Sequence, residues 1–227
     1  KYLLWYEPKD SCWYARSTVE DDRRIVPLTN MLPVIFCNEE NDVPDYPRPY
    51  GIAGWAENDR FVYLYDRYDI WKIDPTGEKV PVCATLTYGR RNEVQLRYVR
   101  TDPEEEFIPS GKKNLLRAFN RITMESGFSV ADLNQSKEPV NLVMGKYNYG
   151  NPVKARNSDK IIWTRESVSE FPDWYQSNLS FEHIRRITEA NPQQKEYLWP
   201  VCTLVEWTTF SGEKLKGLLY QPESLDP

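Results

Sequence analysis

This sequence is short of what a self-contained hydrolytic centre needs: it has one histidine, His183, and no recognisable pairing of nucleophile and base. It has no Cys-x-x-Cys pair. Its four cysteines, Cys12, Cys37, Cys83 and Cys202, are widely and irregularly spaced, which argues against a structural zinc site. Four cysteines allow three pairings, and free thiols stay open. Cys83 stands among apolar residues and reads as packing rather than as a reactive thiol. No apolar run approaches the roughly 20 residues that cross a bilayer, and no signal peptide is visible. A basic stripe is also missing: 34 acidic and 29 basic residues are interleaved for a net charge of −5, so nucleic acid is not an expected partner. Arg90-Arg91 and Arg185-Arg186 are isolated pairs that read as solvated surface. The acidic run Glu104-Glu105-Glu106 lies beside proline with nothing to hold its oxygens in a fixed array, so no metal site is read from it. No cofactor is implied.

What is present is aromatic and apolar material. Hydrophobic residues make up 40% of the chain and aromatics 14%, too much for a disordered segment. Seventeen prolines, with few runs of Ala, Leu, Glu and Lys, argue against a helical bundle. The composition predicts a compact, strand-rich globule. Lys1-Tyr2-Leu3-Leu4-Trp5-Tyr6 already reads as strand, which predicts a piece excised from a longer protein.

A repeat runs through it. Leu3-Leu4-Trp5-Tyr6-Glu7, Cys12-Trp13-Tyr14-Ala15 and Ile25-Val26-Pro27-Leu28-Thr29 form a first copy. Phe61–Asp66, Asp69–Asp74 with the turn Pro75-Thr76-Gly77, and Val80–Thr85 form a second. A weaker copy comprises Asn114–Phe119, Gly127–Asp132 and Pro139–Val143; a clear one comprises Ile161–Arg165, Asp173-Trp174-Tyr175 and Ile184–Thr188. The aromatics opening the third strands are Trp13, Trp71, Phe128 and Trp174, at intervals of 58, 57 and 46 residues, and the clear copies close on Thr29, Thr85 and Thr188. Repeats of about 40–50 residues with up to four short strands are the mark of propeller blades, which must stack because one blade cannot bury both faces. The four aromatics are therefore expected to pack between blades. A β-sandwich with hairpins alike by accident is the plainer alternative. The predicted fold is all-β: a partial β-propeller of about four antiparallel blades, near 1–30, 51–88, 94–145 and 153–190, followed by a hairpin and linker over 199–227.

Two long loops interrupt the pattern, Asn30 to Pro49 with the run Glu39-Glu40-Asn41-Asp42, and Asp102 to Lys113. Loops of this length are functional or mobile. Gly51-Ile52-Ala53-Gly54-Trp55 reads as the innermost strand of the second copy.

Past the last repeat, Leu204–Phe210, Ser211-Gly212 and Leu215–Pro222 form a hairpin with a Ser-Gly turn. This hairpin resembles the segment joining propeller to catalytic domain in the prolyl-oligopeptidase family of serine peptidases. The stretch from Tyr65 to Gly77 is similar to a blade hairpin of exported bacterial members, and Asn191-Pro192-Gln193-Gln194 resembles the run before the linker. The resemblance covers most of the chain. It implies a parent enzyme that cleaves short peptides with a Ser-Asp-His triad on an α/β-hydrolase domain, exported or periplasmic, with the propeller restricting access.

The chain departs from that family in having no Gly-x-Ser-x-Gly elbow, so catalytic residues are expected beyond Pro227 and none within. His183, between blade strands, reads as a surface or hairpin residue. Dipeptidyl-peptidase relatives hold a substrate's amino group with paired glutamates after an Asp-Trp; here Asp173-Trp174-Tyr175 is followed by Gln176-Ser177, and the carry-over fails. Glu39 and Glu40 are the remaining acidic pair on a long loop, candidates for charge-assisted bonds to a cationic peptide end as against a solvated loop.

The expected role is gating and positioning peptide substrates. Partners would be the parent's hydrolase domain, its peptides, and further copies of the chain meeting through open blades. A free-standing module binding a glycan or a protein is the alternative, its Trp and Tyr array serving as a stacking surface instead of blade packing. Asn134-Gln135-Ser136 and Asn178-Leu179-Ser180 match the glycosylation pattern, which short tripeptides do by chance.

Overall fold

A computed structural model describes residues 1–19, 21 and 23–222. The Asp226-Pro227 end of the expected linker lies outside the described residues. Among the described residues the strands form five antiparallel sheets, and none of these closes on itself. The first contains β1 (Tyr2–Glu7), β2 (Cys12–Ser17) and β3 (Ile25–Pro27) in that order; the second contains β4 (Ile52–Trp55), β5 (Val62–Tyr65), β6 (Ile70–Ile73) and β7 (Val82–Cys83). The third runs β8 (Val94–Tyr98), β9 (Asn114–Asn120), β10 (Ser126–Ala131) and β11 (Val140–Gly145). In the fourth, β12 (Asn148–Tyr149) and β13 (Val153–Lys154) both pair with β14 (Lys160–Glu166), followed by β15 (Asp173–Asn178) and β16 (Arg185–Arg186). Two nine-residue strands, β17 (Pro200–Thr208) and β18 (Lys214–Pro222), make the last hairpin. This is a partial β-propeller: each of the first three sheets, and β13 to β16 of the fourth, is a meander whose neighbours in sequence are neighbours in space, the connectivity of a blade. Among the described residues no helix is long and apolar enough to cross a membrane.

By chain contacts the protein divides into one unit of Lys1–Asn120 with Phe128–Leu142 and another of Arg121–Gly127 with Val143–Pro227.

In the first unit the period-2 alternation of β1 to β3 sorts side chains onto two faces. Leu4, Ala15 and Val26 are directly opposite one another, and all three lie on the face that packs against the second sheet. The core there joins Trp13, Leu28 and Phe36 to Val62, Leu64, Trp71 and Ile73. Leu3, Arg16 and Ile25 line the other face, where Leu3 and Ile25 stay exposed and Trp5 stacks on Tyr14 with ring centroids 5.7 Å apart.

The closing threonines have a physical role. Trp13, Ile70 and Trp174 each donate their amide to the hydroxyl of Thr29, Thr85 and Thr188, at 3.0, 3.4 and 2.9 Å. Each also accepts from the amide just before its threonine, Leu28, Ala84 and Ile187, at 2.7, 2.8 and 2.8 Å. These bonds put Ile70, and not its neighbour Trp71, in register with Trp13 and Trp174. In the third sheet β10 and β11 are linked by Ser129, whose hydroxyl donates to Asn141 Oδ1 at 2.7 Å.

Trp13, Trp71 and Phe128 are buried. Trp174 keeps 40% of its surface exposed, because β15 buries its neighbours Asp173 and Tyr175 on alternate positions. The buried tryptophan of that sheet is Trp163, stacked on Tyr175 at 5.0 Å and donating its indole N–H to Ser177 Oγ at 3.1 Å. Such an acceptor is the usual partner of a buried indole.

The turn after β6 is set by Asp74, whose Oδ1 accepts from the amide and hydroxyl of Thr76, both at 2.9 Å. Gly77 follows at φ +73, where a side chain would be strained.

Candidate functional site

Among the described residues of the first unit, a group of charged side chains gathers at the β5–β6 turn, Asp66-Arg67-Tyr68-Asp69. Asp66 is buried and shapes the turn: Oδ1 accepts from the amides of Tyr68 and Asp69 at 2.7 and 2.5 Å, an Asx-type closure. Its Oδ2 accepts from Trp71 Nε1 at 3.2 Å and from Arg90 Nη2 at 3.4 Å. Asp69, with no exposed surface, accepts at Oδ1 from Thr85 Oγ1 (2.6 Å) and Gly89 N (2.8 Å), and at Oδ2 from Arg90 N (2.8 Å). Burial pushes the Asp69 carboxyl above the usual carboxylate range, with these three donors pulling the other way.

The short helix α1 (Tyr88–Asn92) brings Arg90 to the cluster. Arg90 grips Glu39 with both terminal nitrogens, Nη2 to Oε1 at 2.7 Å and Nη1 to Oε2 at 3.4 Å. Arg67 reaches Glu40 Oε1 at 2.5 Å and Glu39 Oε2 at 3.8 Å. Both guanidinium carbons lie 5.2 Å from the centroid of the Tyr68 ring, within cation–π range. Burial lowers the Arg90 pKa, but the hydrogen bonds and charges of Glu39 and Asp66 outweigh it and hold it above the ordinary value. Beneath, Arg97 stacks on Tyr65 at 4.6 Å and donates to the Asp66 and Arg67 carbonyls at 3.3 and 3.0 Å. Burial lowers its pKa.

The acidic pair singled out in the sequence is thus engaged by two arginines. Glu39 has 19% of its side chain exposed and Glu40 53%, so Glu40 is the carboxylate a solute meets. Arg67, Arg90, Asp66 and Asp69 were not legible as partners. Glu39 and Arg90 lie 51 residues apart, and no local pattern in the sequence joins them. The pair Arg90-Arg91 splits: Arg91 forms an exposed bridge to Glu138 at 2.5 Å while Arg90 turns inward.

In the second unit Asp173 is buried and closes a hairpin. It accepts from Thr188 Oγ1 at 2.6 Å, from the Ala190 amide at 2.9 Å, and from Arg186. Its exposed neighbour Trp174 is the tryptophan of the Asp-Trp read in the sequence. His183 is exposed on a left-handed backbone at φ +55, in the β15–β16 connection. Among the described residues no group of three His, Cys, Asp or Glu side chains is placed to hold a metal ion. Cys12, Cys37 and Cys83 are buried free thiols and Cys202 is a partly buried one; burial pushes Cys83 up to about 11. What the Glu39–Arg90 cluster can do is hold charge and fix a loop; it sets no nucleophile beside a base.

No protein-family model and no curated protein matches this sequence. Solved structures do. A post-proline cleaving enzyme from Rickettsia typhi superposes with a TM-score of 0.53 at 12% identity, over 95% of this chain and 30% of that one. A puromycin hydrolase gives a TM-score of 0.51 at 12% identity, over 96% of this chain and 31% of that one. The chain therefore spans about a third of the length of these structures, and at such identity the likeness is one of fold.

Proposed function

We propose that this chain is the non-catalytic propeller segment of a prolyl-oligopeptidase-like serine peptidase, gating and positioning peptides for an α/β-hydrolase domain that follows Pro227. The observation that carries the reading is the match of 95% of this chain to 30% of a post-proline cleaving enzyme, the share a propeller part would occupy in a longer two-domain chain. The resemblance of the hairpin now seen as β17 and β18 to the family's propeller-to-catalytic joint supports it from the sequence side. In this reading blades occupy about 1–30, 51–88, 94–145 and 153–190, residues 199–227 form the linker, and the parent is an exported bacterial enzyme. Of the acidic pair, Glu40 is the group offered to a cationic peptide end, in competition with Arg67.

The first test is activity. The purified chain should leave short proline-containing peptides intact, whereas the longer native protein should cleave them. A hydrolysis rate in the chain that persists through further purification overturns the proposal.

A binding module for a glycan or a protein is the second reading. The individually exposed Trp174, Tyr197, Trp199, Trp207, Phe210 and Tyr220 of the second unit favour it, since such rings can stack on a sugar or dock on a partner. Saturable glycan binding by the chain, in a native protein without a hydrolase, would decide for it.

A further inference from the structure

We propose that Glu39 is a latch that holds the tip of the long 30–49 loop as a lid over Arg67, Tyr68 and Arg90. This inference does not depend on the peptidase reading.

The loop has a fixed root and a separately built tip. At the root Phe36 is buried in the core, the Tyr50 amide donates to the Phe36 carbonyl at 3.0 Å, and the Asn38 amide donates to the Arg48 carbonyl at 2.8 Å. Beyond that the tip satisfies much of its own backbone: Asn41 Nδ2 donates to the carbonyls of Val43 and Asp45, both at 3.0 Å, and the Asp45 amide to Val43 at 2.8 Å. Val43 and Tyr46 are exposed, so little apolar burial holds the tip down.

Charge ties the tip to the second blade. The bidentate Arg90–Glu39 pair is the strong geometry for guanidinium and carboxylate, and Arg67 bridges Glu39 and Glu40. The side chains of Glu39, Arg67 and Arg90 keep 19, 17 and 33% of their surface exposed, so the tie is screened by salt only in part. The Nε atoms of both arginines are buried without a hydrogen-bond acceptor. Buried donors of this kind favour opening, because water would satisfy them. A strong but replaceable ionic tie on a self-sufficient tip is the construction of a lid that moves as a piece.

The test is amide hydrogen exchange on the 227-residue chain carrying Arg67→Ala and Arg90→Ala. Exchange at Glu39, whose amide donates to the Tyr50 hydroxyl, should rise at least about tenfold, the loss of one charged hydrogen bond or more. The amides of Ala84 and Leu28 in the blade hairpins should not change. Unchanged exchange at Glu39 overturns the latch. If the double variant exposes the blades as well, Glu39→Gln, which leaves both guanidiniums in place, is read by the same criteria: a rise confined to the loop sustains the latch, and no rise overturns it.

Discussion

Thr85 donates its hydroxyl to Asp69 Oδ1 at 2.6 Å, tying the residues just past the end of β7 to the start of its partner β6, and Thr188 makes the same 2.6 Å bond to Asp173 in the second unit. In the first sheet Thr29 points at the sulfur of Cys12 at 3.5 Å from the equivalent position. A hydroxyl at the close of the hairpin and an acceptor at the opening of its third strand are thus one device used three times.

Replacing Thr85 with Val should remove a donor from a fully buried carboxylate and destabilise the chain by about 1–3 kcal/mol. Thr85→Ser, which keeps the hydroxyl, should recover most of the loss. Urea unfolding followed by tryptophan fluorescence reads both; equal stability of Thr85→Val and the parent chain would contradict the account.

Asp173 carries a pH signature. Burial by itself raises its pKa, but the bonds from Thr188, the Ala190 amide and Arg186, with the Arg186 charge, outweigh burial and hold it below the usual carboxylate range. A depressed folded-state pKa stabilises the fold fully above the unfolded value of about 3.9, and the contribution disappears as pH falls through the folded value. The stability gap between the parent chain and Asp173→Asn should therefore be full at pH 7, shrink below about pH 4, and close in stronger acid. Urea titrations across that range that show a constant gap would contradict this.

Gly89 is held by space. A Cβ there would lie 2.6 Å from the Val94 carbonyl oxygen, 2.8 Å from that of Tyr68 and 2.9 Å from Asp69 Oδ1. Gly89→Ala should destabilise by about 1–3 kcal/mol through overpacking against backbone, and a thermal melt indistinguishable from the parent's would refute it.

The face of the first sheet carrying Leu3 and Ile25 is open, with 60% and 58% of these residues exposed. Self-association through such a face is expected in the isolated chain. Light scattering should show mass rising with concentration, and Leu3→Lys with Ile25→Lys should suppress the rise. A strict monomer at high concentration would exclude it.

Much of the fold was readable because strand meanders are local. The alternation in Leu3–Glu7 and Cys12–Ala15, the Pro75-Thr76-Gly77 turn and the three closing threonines all act within about twenty residues. What escaped was decided by distant neighbours. The sequence contains both Trp163 and Trp174, but which one is buried depends on which face of the fourth sheet is covered. The register of Ile70 with Trp13 and Trp174 was hidden because the larger Trp71 stands one residue away. Glu39 and Arg90 were each visible as loop and surface charges, yet no local pattern links positions whose meeting is set by a folded blade.

The most direct measurement is the intact mass and C-terminal sequence of the native protein. The account predicts that the chain continues past Pro227 into a hydrolase domain bearing a serine elbow. A native chain that stops near Pro227 would contradict it.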